Sequence, residues 1–165
     1  MNWGRYLIVV CNSTAIIGLA KIGRLNLLEQ IYKEIYIPEA VFFEVANKDK
    51  PGSDEIENAK WIKRETVKDT RTVEFLIAEF GLGEAEALVL GKELNADLLI
   101  LDDEKARTAA ISAGFRIIGL VGILLLAKHL GLIPLIKPLL EELRSKKFRL
   151  GDRIIQEILE KAGEN

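Results

Sequence analysis

Apolar positions in this chain fall into two kinds of block that alternate along its length. The first kind is short and continuous: residues 6–10, 34–37, 97–101 and 115–118 are runs in which Ile, Leu and Val dominate, the pattern of strands covered on both faces. Residues 61–67 alternate instead, which predicts an edge strand. Between these runs the apolar positions recur at helical spacing. They predict helices over 15–22, 25–32, 38–46, 53–60, 70–80, 84–94, from just after Asp103 to about 113, then 120–130, 134–145 and 152–162. Leu25, Leu28 and Tyr32 share one face of the second of these.

Local chemistry marks the ends. Ser13 or Thr14 suits the cap of the first helix and Ser53 that of the fourth, because a short side-chain oxygen accepts from the first free amides. Gly23 and Gly81 close helices, and Gly83 opens one. Pro38 fits a first helical turn, where its missing N–H costs nothing. Short strands alternating with helices of about ten residues predict a parallel sheet with helices on both faces. The fold class expected is α/β, a three-layer α/β/α sandwich with a central, mainly parallel sheet. The chain has 165 residues and no repeat, low-complexity stretch or dividing linker, so one domain spanning 1–165 is expected.

Composition narrows the chemistry. Apolar residues make up 49% and the formal net charge is −2, enough to bury a core and too little positive charge for a sequence-blind nucleic-acid binder. The single cysteine, Cys11, excludes an internal disulfide framework and a Cys-rich zinc site. The single histidine, His129, leaves no credible Ser/His/Asp set; it ends an apolar helix beside Lys128, where helix-end packing is the simpler role. Residues 6–20 follow Arg5 and are apolar, but Asn12, Ser13 and Thr14 interrupt them. Residues 117–127 are too short for a span of about twenty residues. Neither predicts a membrane segment, and a cytoplasmic protein is expected.

What remains is carboxylate chemistry. Ligands of open parallel sheets bind beyond the carboxyl ends of the strands, and there stand Asn12 with Ser13 and Thr14, and Asp102 with Asp103. Glu44 sits in a helix among Val41, Phe42, Phe43 and Val45, and Glu84 and Glu86 open another. Each has a plain structural alternative: helix capping for the Asp pair, a first-turn dipole for Glu84 and Glu86, an exposed helix face for Glu44. Together they are carboxylates near one sheet edge. Two such charges about 4 Å apart repel by roughly 4 kcal/mol at an effective dielectric near 20, so a converging cluster needs protons or a cation. Oxygen-only donors select a hard ion, Mg²⁺ or Mn²⁺ rather than Zn²⁺, and such an ion serves attack on a phosphodiester.

In this order the motifs resemble the PIN-domain nucleases, particularly the VapC-type toxin ribonucleases. Residues 9–14 through 20–24 are similar to that family's opening strand and helix. Residues 37–41 with Glu44 resemble its second acidic motif, 83–87 its third, and 101–107 its fourth. The likeness covers a core of about 5–120; the remainder, about 120–165, resembles the helical extension of a less characterised subfamily. The resemblance implies a metal site on Asn12, Glu44, Glu84 and Asp102, with Asp103 as an alternative to Asp102 and Glu86 as a less well spaced alternative to Glu84. It implies that Thr14 supports the first motif. Asn12 departs from the pattern, since most members carry Asp there, and an amide removes one negative charge from the site. The resemblance also implies a Mg²⁺- or Mn²⁺-dependent endoribonuclease acting on single-stranded RNA and leaving a 5′-phosphate. A small antitoxin partner and a homodimer belong to the same expectation.

Arg107, one turn after Asp103, is placed to reach a phosphate oxygen or to pair with Asp103 on the helix surface. The basic stretch 144–149, with Arg153 beyond, reads as a solvated surface or as a contact for RNA or an acidic partner. Phe75, Leu76 and Phe80 predict an apolar helix face, either core or dimer surface. A rival functional reading is an inactive PIN scaffold that binds a partner or RNA, favoured by Asn12. A phosphoacceptor receiver, the third, lacks a suitable lysine after a late strand.

Overall fold

The structure, a computed structural model, describes residues 7–164; residues 1–6 and 165, with Arg5 and Tyr6 among them, lie outside the described part. Five strands, all parallel, form one sheet in the order β3-β2-β1-β4-β5. They are β1 (Val9–Cys11), β2 (Ile35–Pro38), β3 (Ile62–Glu65), β4 (Leu98–Ile100) and β5 (Ile117–Ile118). All five answer to the strand runs of the sequence, and β3 is an edge strand as its alternation predicts. The helices are α1 (Ser13–Lys21), α2 (Asn26–Tyr32), α3 (Glu39–Val45), α4 (Ser53–Asn58), α5 (Thr70–Leu76), α6 (Leu82–Glu93), α7 (Glu104–Ser112), α8 (Leu120–His129), α9 (Lys137–Ser145) and α10 (Asp152–Ala162).

The period-two geometry of the strands divides the core. Val9 and Cys11 of β1 and Ile100 of β4 face a core built with α1, α2, α8, α9 and α10. Val10 and Leu99, with Leu101, face the opposite core, built with α5, α6 and α7. Burial on both sides is why these strands read as continuous apolar runs. It is the expected α/β/α sandwich.

The ends differ from the expected ones in instructive ways. Asn12, not Ser13 or Thr14, caps α1, its Oδ1 accepting from the Ser13 amide at 2.8 Å. Ser53 is the first residue of α4 and buried; the cap is Gly52, at φ 76°, a left-handed conformation that a glycine takes without Cβ strain. The fifth helix closes at Leu76, four residues before Phe80. α6 begins at Leu82, after a cap at Gly81, so Gly83 and Glu84 fall within its first turn. α9 begins at Lys137 rather than 134, with Pro138 in its first turn.

The last three helices close over α1. A Cβ at Gly18 would lie 2.6 Å from Leu120 Cδ2 and 3.1 Å from the Phe148 ring, so this glycine permits the close packing of α1 against α8 and the α9–α10 connection. Lys146 Nζ donates to the Lys21 carbonyl at 2.6 Å across the same junction. At the far end, Glu164 accepts from Lys128 Nζ at 2.8 Å and from the amides of Ile136 and Lys137. Among the described residues no helix is long and apolar enough to cross a membrane.

Candidate active site

β1 is the strand at which the sheet order reverses, with β2 on one side and β4 on the other. The crevice beyond the carboxyl ends of β1 and β4 is therefore where this architecture receives a ligand. Asn12 leaves β1 and Asp102 follows Leu101 after β4; the two chain segments are tied by the Asn12 amide donating to the Ile100 carbonyl at 3.0 Å.

Asn12 is 2% exposed. Its Oδ1 is committed to the Ser13 amide, while its Nδ2 is buried with no hydrogen-bond partner. A buried amide donor left open costs about 1–3 kcal/mol, so a neighbouring acceptor is what this position calls for. Glu44 comes from α3 and is exposed as a residue. Its Oε2 and Asn12 Oδ1 both border the first turn of α6: a Cβ on Gly83 would lie 3.3 Å from Asn12 Oδ1 and 3.7 Å from Glu44 Oε2. Gly83 thus lets the helix backbone approach both groups.

Asp102 is half-buried and held from the other side. Its two oxygens accept from the Leu120 amide at 3.1 and 3.2 Å, so it supplies an acceptor to the first turn of α8. Burial pushes its carboxyl above the ordinary aspartate range, against the Leu120 amide and the charge of Arg107, which pull it down. Beside it, the Cys11 thiol is driven well up by burial and by the charge of Asp102, which keeps it a neutral core group. Behind Cys11, burial raises the Tyr32 hydroxyl to about 12.

The alternatives raised by the sequence part company here. Asp103 caps α7, its Oδ2 accepting from the Ala106 amide at 2.9 Å. Glu86 accepts from the Ala40 amide at 3.0 Å, so it serves the first turn of α3. Glu84 carries no hydrogen bond to either helix, but its carboxylate folds back over its own helix start: a Cβ at Gly81 would lie 2.5 Å from Glu84 Oε2. Arg107 does not pair with Asp103. Its Nη1 donates to the Leu101 carbonyl at 2.9 Å, beside Asp102. Thr14, half-buried in the first turn of α1, lines a cleft of about 720 Å³ together with Asp102 and Arg107.

The structure thus gathers Asn12 and Glu44 at Gly83, and Asp102 with Arg107 and Thr14 at the adjacent strand end. The Glu84 carboxylate lies over Gly81 at the start of α6. In this conformation no three Asp, Glu, His or Cys side chains among the described residues stand within ligating reach of one point. Two structural partners escaped the sequence reading, the Leu120 amide and Gly119 before it. A Cβ on Gly119 would stand 2.7 Å from Asp102 Oδ1 and 2.9 Å from Arg107 Nη1. The one available signal was a glycine between a late strand and a helix start.

A parallel α/β sheet with acidic side chains beyond its central strands defines the class, an α/β protein with its ligand crevice at the sheet's reversal. The PIN-domain family model matches residues 8–164, and the chain belongs to that family. A comparison with curated proteins found no match.

Proposed function

We propose that this protein is a cytoplasmic, Mg²⁺- or Mn²⁺-dependent endoribonuclease of the VapC type, cutting single-stranded RNA, with a small antitoxin as its partner. Fold alone does not carry an activity. What supports this one, in a PIN-domain chain, is that Asn12 and Asp102 follow β1 and β4 and that Asn12 and Glu44 both reach the start of α6 at Gly83. All three carry side-chain oxygens, the donor chemistry of a hard divalent ion. Glu44 and Asp102 supply the anionic ligands, Asn12 a neutral one, and Glu84 the third carboxylate once it leaves Gly81. The ion, when bound, polarises a phosphodiester and lowers the pKa of an attacking water. Arg107 and Thr14 lie on the cleft side of Asp102 and contact the substrate backbone. Phe75, 79% exposed on α5, supplies an apolar anchor for a homodimer, whereas Phe80 is buried and belongs to the core.

The test is cleavage of single-stranded RNA by purified protein with Mn²⁺. Asn12→Asp restores the missing charge and is expected to raise cleavage at least tenfold (about 1.4 kcal/mol in the barrier), while Glu84→Gln abolishes it. Equal cleavage by wild type and Glu84→Gln would assign the activity to a contaminant.

A second reading, a PIN scaffold that binds without cutting, is favoured by the open Asn12 Nδ2 and by the Glu84 carboxylate lying over Gly81. It requires that Mn²⁺ produce no binding heat with the wild type and that Asn12→Asp leave RNA intact.

A further inference from the structure

The cleft that opens onto Asp102 has a second wall that comes from the far end of the chain. Thr14, Asp102, Glu104 and Arg107 line it from the strand-end side of the sequence motifs, and Phe148, Arg149 and Leu150, from the connection between α9 and α10, complete its lining. At about 720 Å³ the cleft is large enough for one or two nucleotides of a strand.

The connection is anchored rather than draped. Lys147 takes φ 65° to turn the chain, Phe148 packs against Gly18 with Lys21 Nζ 5.8 Å from its ring centre, and Lys146 Nζ donates to the Lys21 carbonyl at 2.6 Å. Phe148 and Leu150 pack against the larger core, which leaves Arg149 between them as the polar residue of this wall. Arg149 is exposed, and among the described residues it has no ion pair or hydrogen bond. Its neighbours behave otherwise: Arg144 pairs with Asp152 at 2.8 Å and Arg153 with Glu157 at 3.0 Å. Arg107, which lines the same cleft, spends one guanidinium nitrogen on the Leu101 carbonyl and keeps most of its five donors free. Two guanidinium groups lining one cleft, one of them unpaired on an anchored segment, suit the bidentate geometry of phosphate.

We propose that Arg149 is a substrate-positioning residue. With Arg107 it holds the phosphodiester next to the one placed at Asp102, so the C-terminal extension forms one wall of the RNA channel. The proposal rests on the endoribonuclease reading for the identity of the strand. It places Arg149, rather than the whole basic stretch around it, on substrate.

The test is binding without turnover. A fluorescein-labelled single-stranded RNA dodecamer is titrated in EDTA, and anisotropy is read from 50 to 200 mM salt. Arg149→Ala is expected to weaken binding roughly three- to tenfold and to reduce the slope of log affinity against log salt by about 0.7, the value of one phosphate contact on a single strand. Arg149→Lys retains most of the slope, Arg107→Ala lowers it as Arg149→Ala does, and Arg153→Ala leaves it unchanged. In Mn²⁺ cleavage, Arg149→Ala raises KM and leaves kcat within about twofold, the pattern of lost uniform binding. Unchanged melting of Arg149→Ala excludes a folding effect. If the wild type binds RNA and Arg107→Ala loses affinity while Arg149→Ala matches Arg153→Ala, the role of the extension is overturned and the nuclease reading stands. If the wild type shows no salt-dependent RNA binding, the RNA reading falls and this proposal with it.

Discussion

Replacing Gly119 by alanine adds a Cβ 2.7 Å from Asp102 Oδ1 and 2.9 Å from Arg107 Nη1. Gly119 has φ −109°, open to any L-residue, so backbone strain plays no part. The Arg107 end is flexible and swings aside. The Asp102 carboxylate is not free in the same way, because both its oxygens hold the Leu120 amide, at 3.1 and 3.2 Å. Retreat by several tenths of an ångström takes those bonds past useful length. A hydrogen bond to a charged group contributes about 1.5–3 kcal/mol, and partial loss of the pair with its favourable helix-end placement costs about 1–2 kcal/mol. For a chain of this size that lowers Tm by about 2–8 °C. The discriminating assay is a double-mutant cycle followed by thermal and urea unfolding, with Asp102→Ala as the second site. In that background the carboxylate is gone and Gly119→Ala meets only Arg107, so its cost shrinks to a few tenths of a kcal/mol and the coupling is about 1 kcal/mol or more. Equal costs in the two backgrounds would refute the claim that Asp102 joins the β4 edge to α8.

Glu86→Ala is expected to destabilise by about 0.5–2 kcal/mol through the lost Ala40 contact, whereas Glu84→Gln leaves urea stability within about 0.5 kcal/mol. Paired melts decide between these glutamates. Burial alone would raise the Glu164 carboxyl, but the Lys128 ammonium and the amides of Lys137 and Ile136 outweigh it and hold it below the ordinary glutamate value. A depressed carboxyl stabilises above its unfolded pKa and loses that contribution as pH falls through the folded one. Stability between pH 7 and 3 is therefore expected to fall less steeply in Glu164→Gln than in the wild type, from a starting point about 1–3 kcal/mol lower at pH 7. Parallel pH profiles would show that Glu164 does not anchor α8 to the C-terminal end.

Strands β1 and β4 were legible because burial on two faces writes itself as unbroken Ile, Leu and Val. Side-chain direction was not legible in that way. Glu84 and Glu86 stand two positions apart on one helix and so point to different sides; sequence spacing favoured Glu84 for the site, and only packing shows Glu86 engaged with α3. Ser13 or Thr14 looked like the cap where Asn12 serves, because a cap depends on where the first strand releases the backbone. The link between Asp102 and Leu120 joins positions 18 residues apart, and the wall formed by Phe148 and Arg149 lies further still from the motifs. Such pairings are fixed by tertiary approach, which no local pattern records.

β1 is the middle strand and the first to be made. Its β2 side finds a partner within about thirty residues of synthesis, but its other side waits for β4, near residue 98, and Asp102 gains its amide only when Leu120 has emerged. Until β4 pairs with it, one border of Val9–Cys11 would stand as an unsatisfied template open to foreign strands. A ribosome-held intermediate would thus be vulnerable to aggregation while still lacking a finished crevice, so the hazard of misassembly and the birth of the site are separated in time by the order in which the chain is spoken.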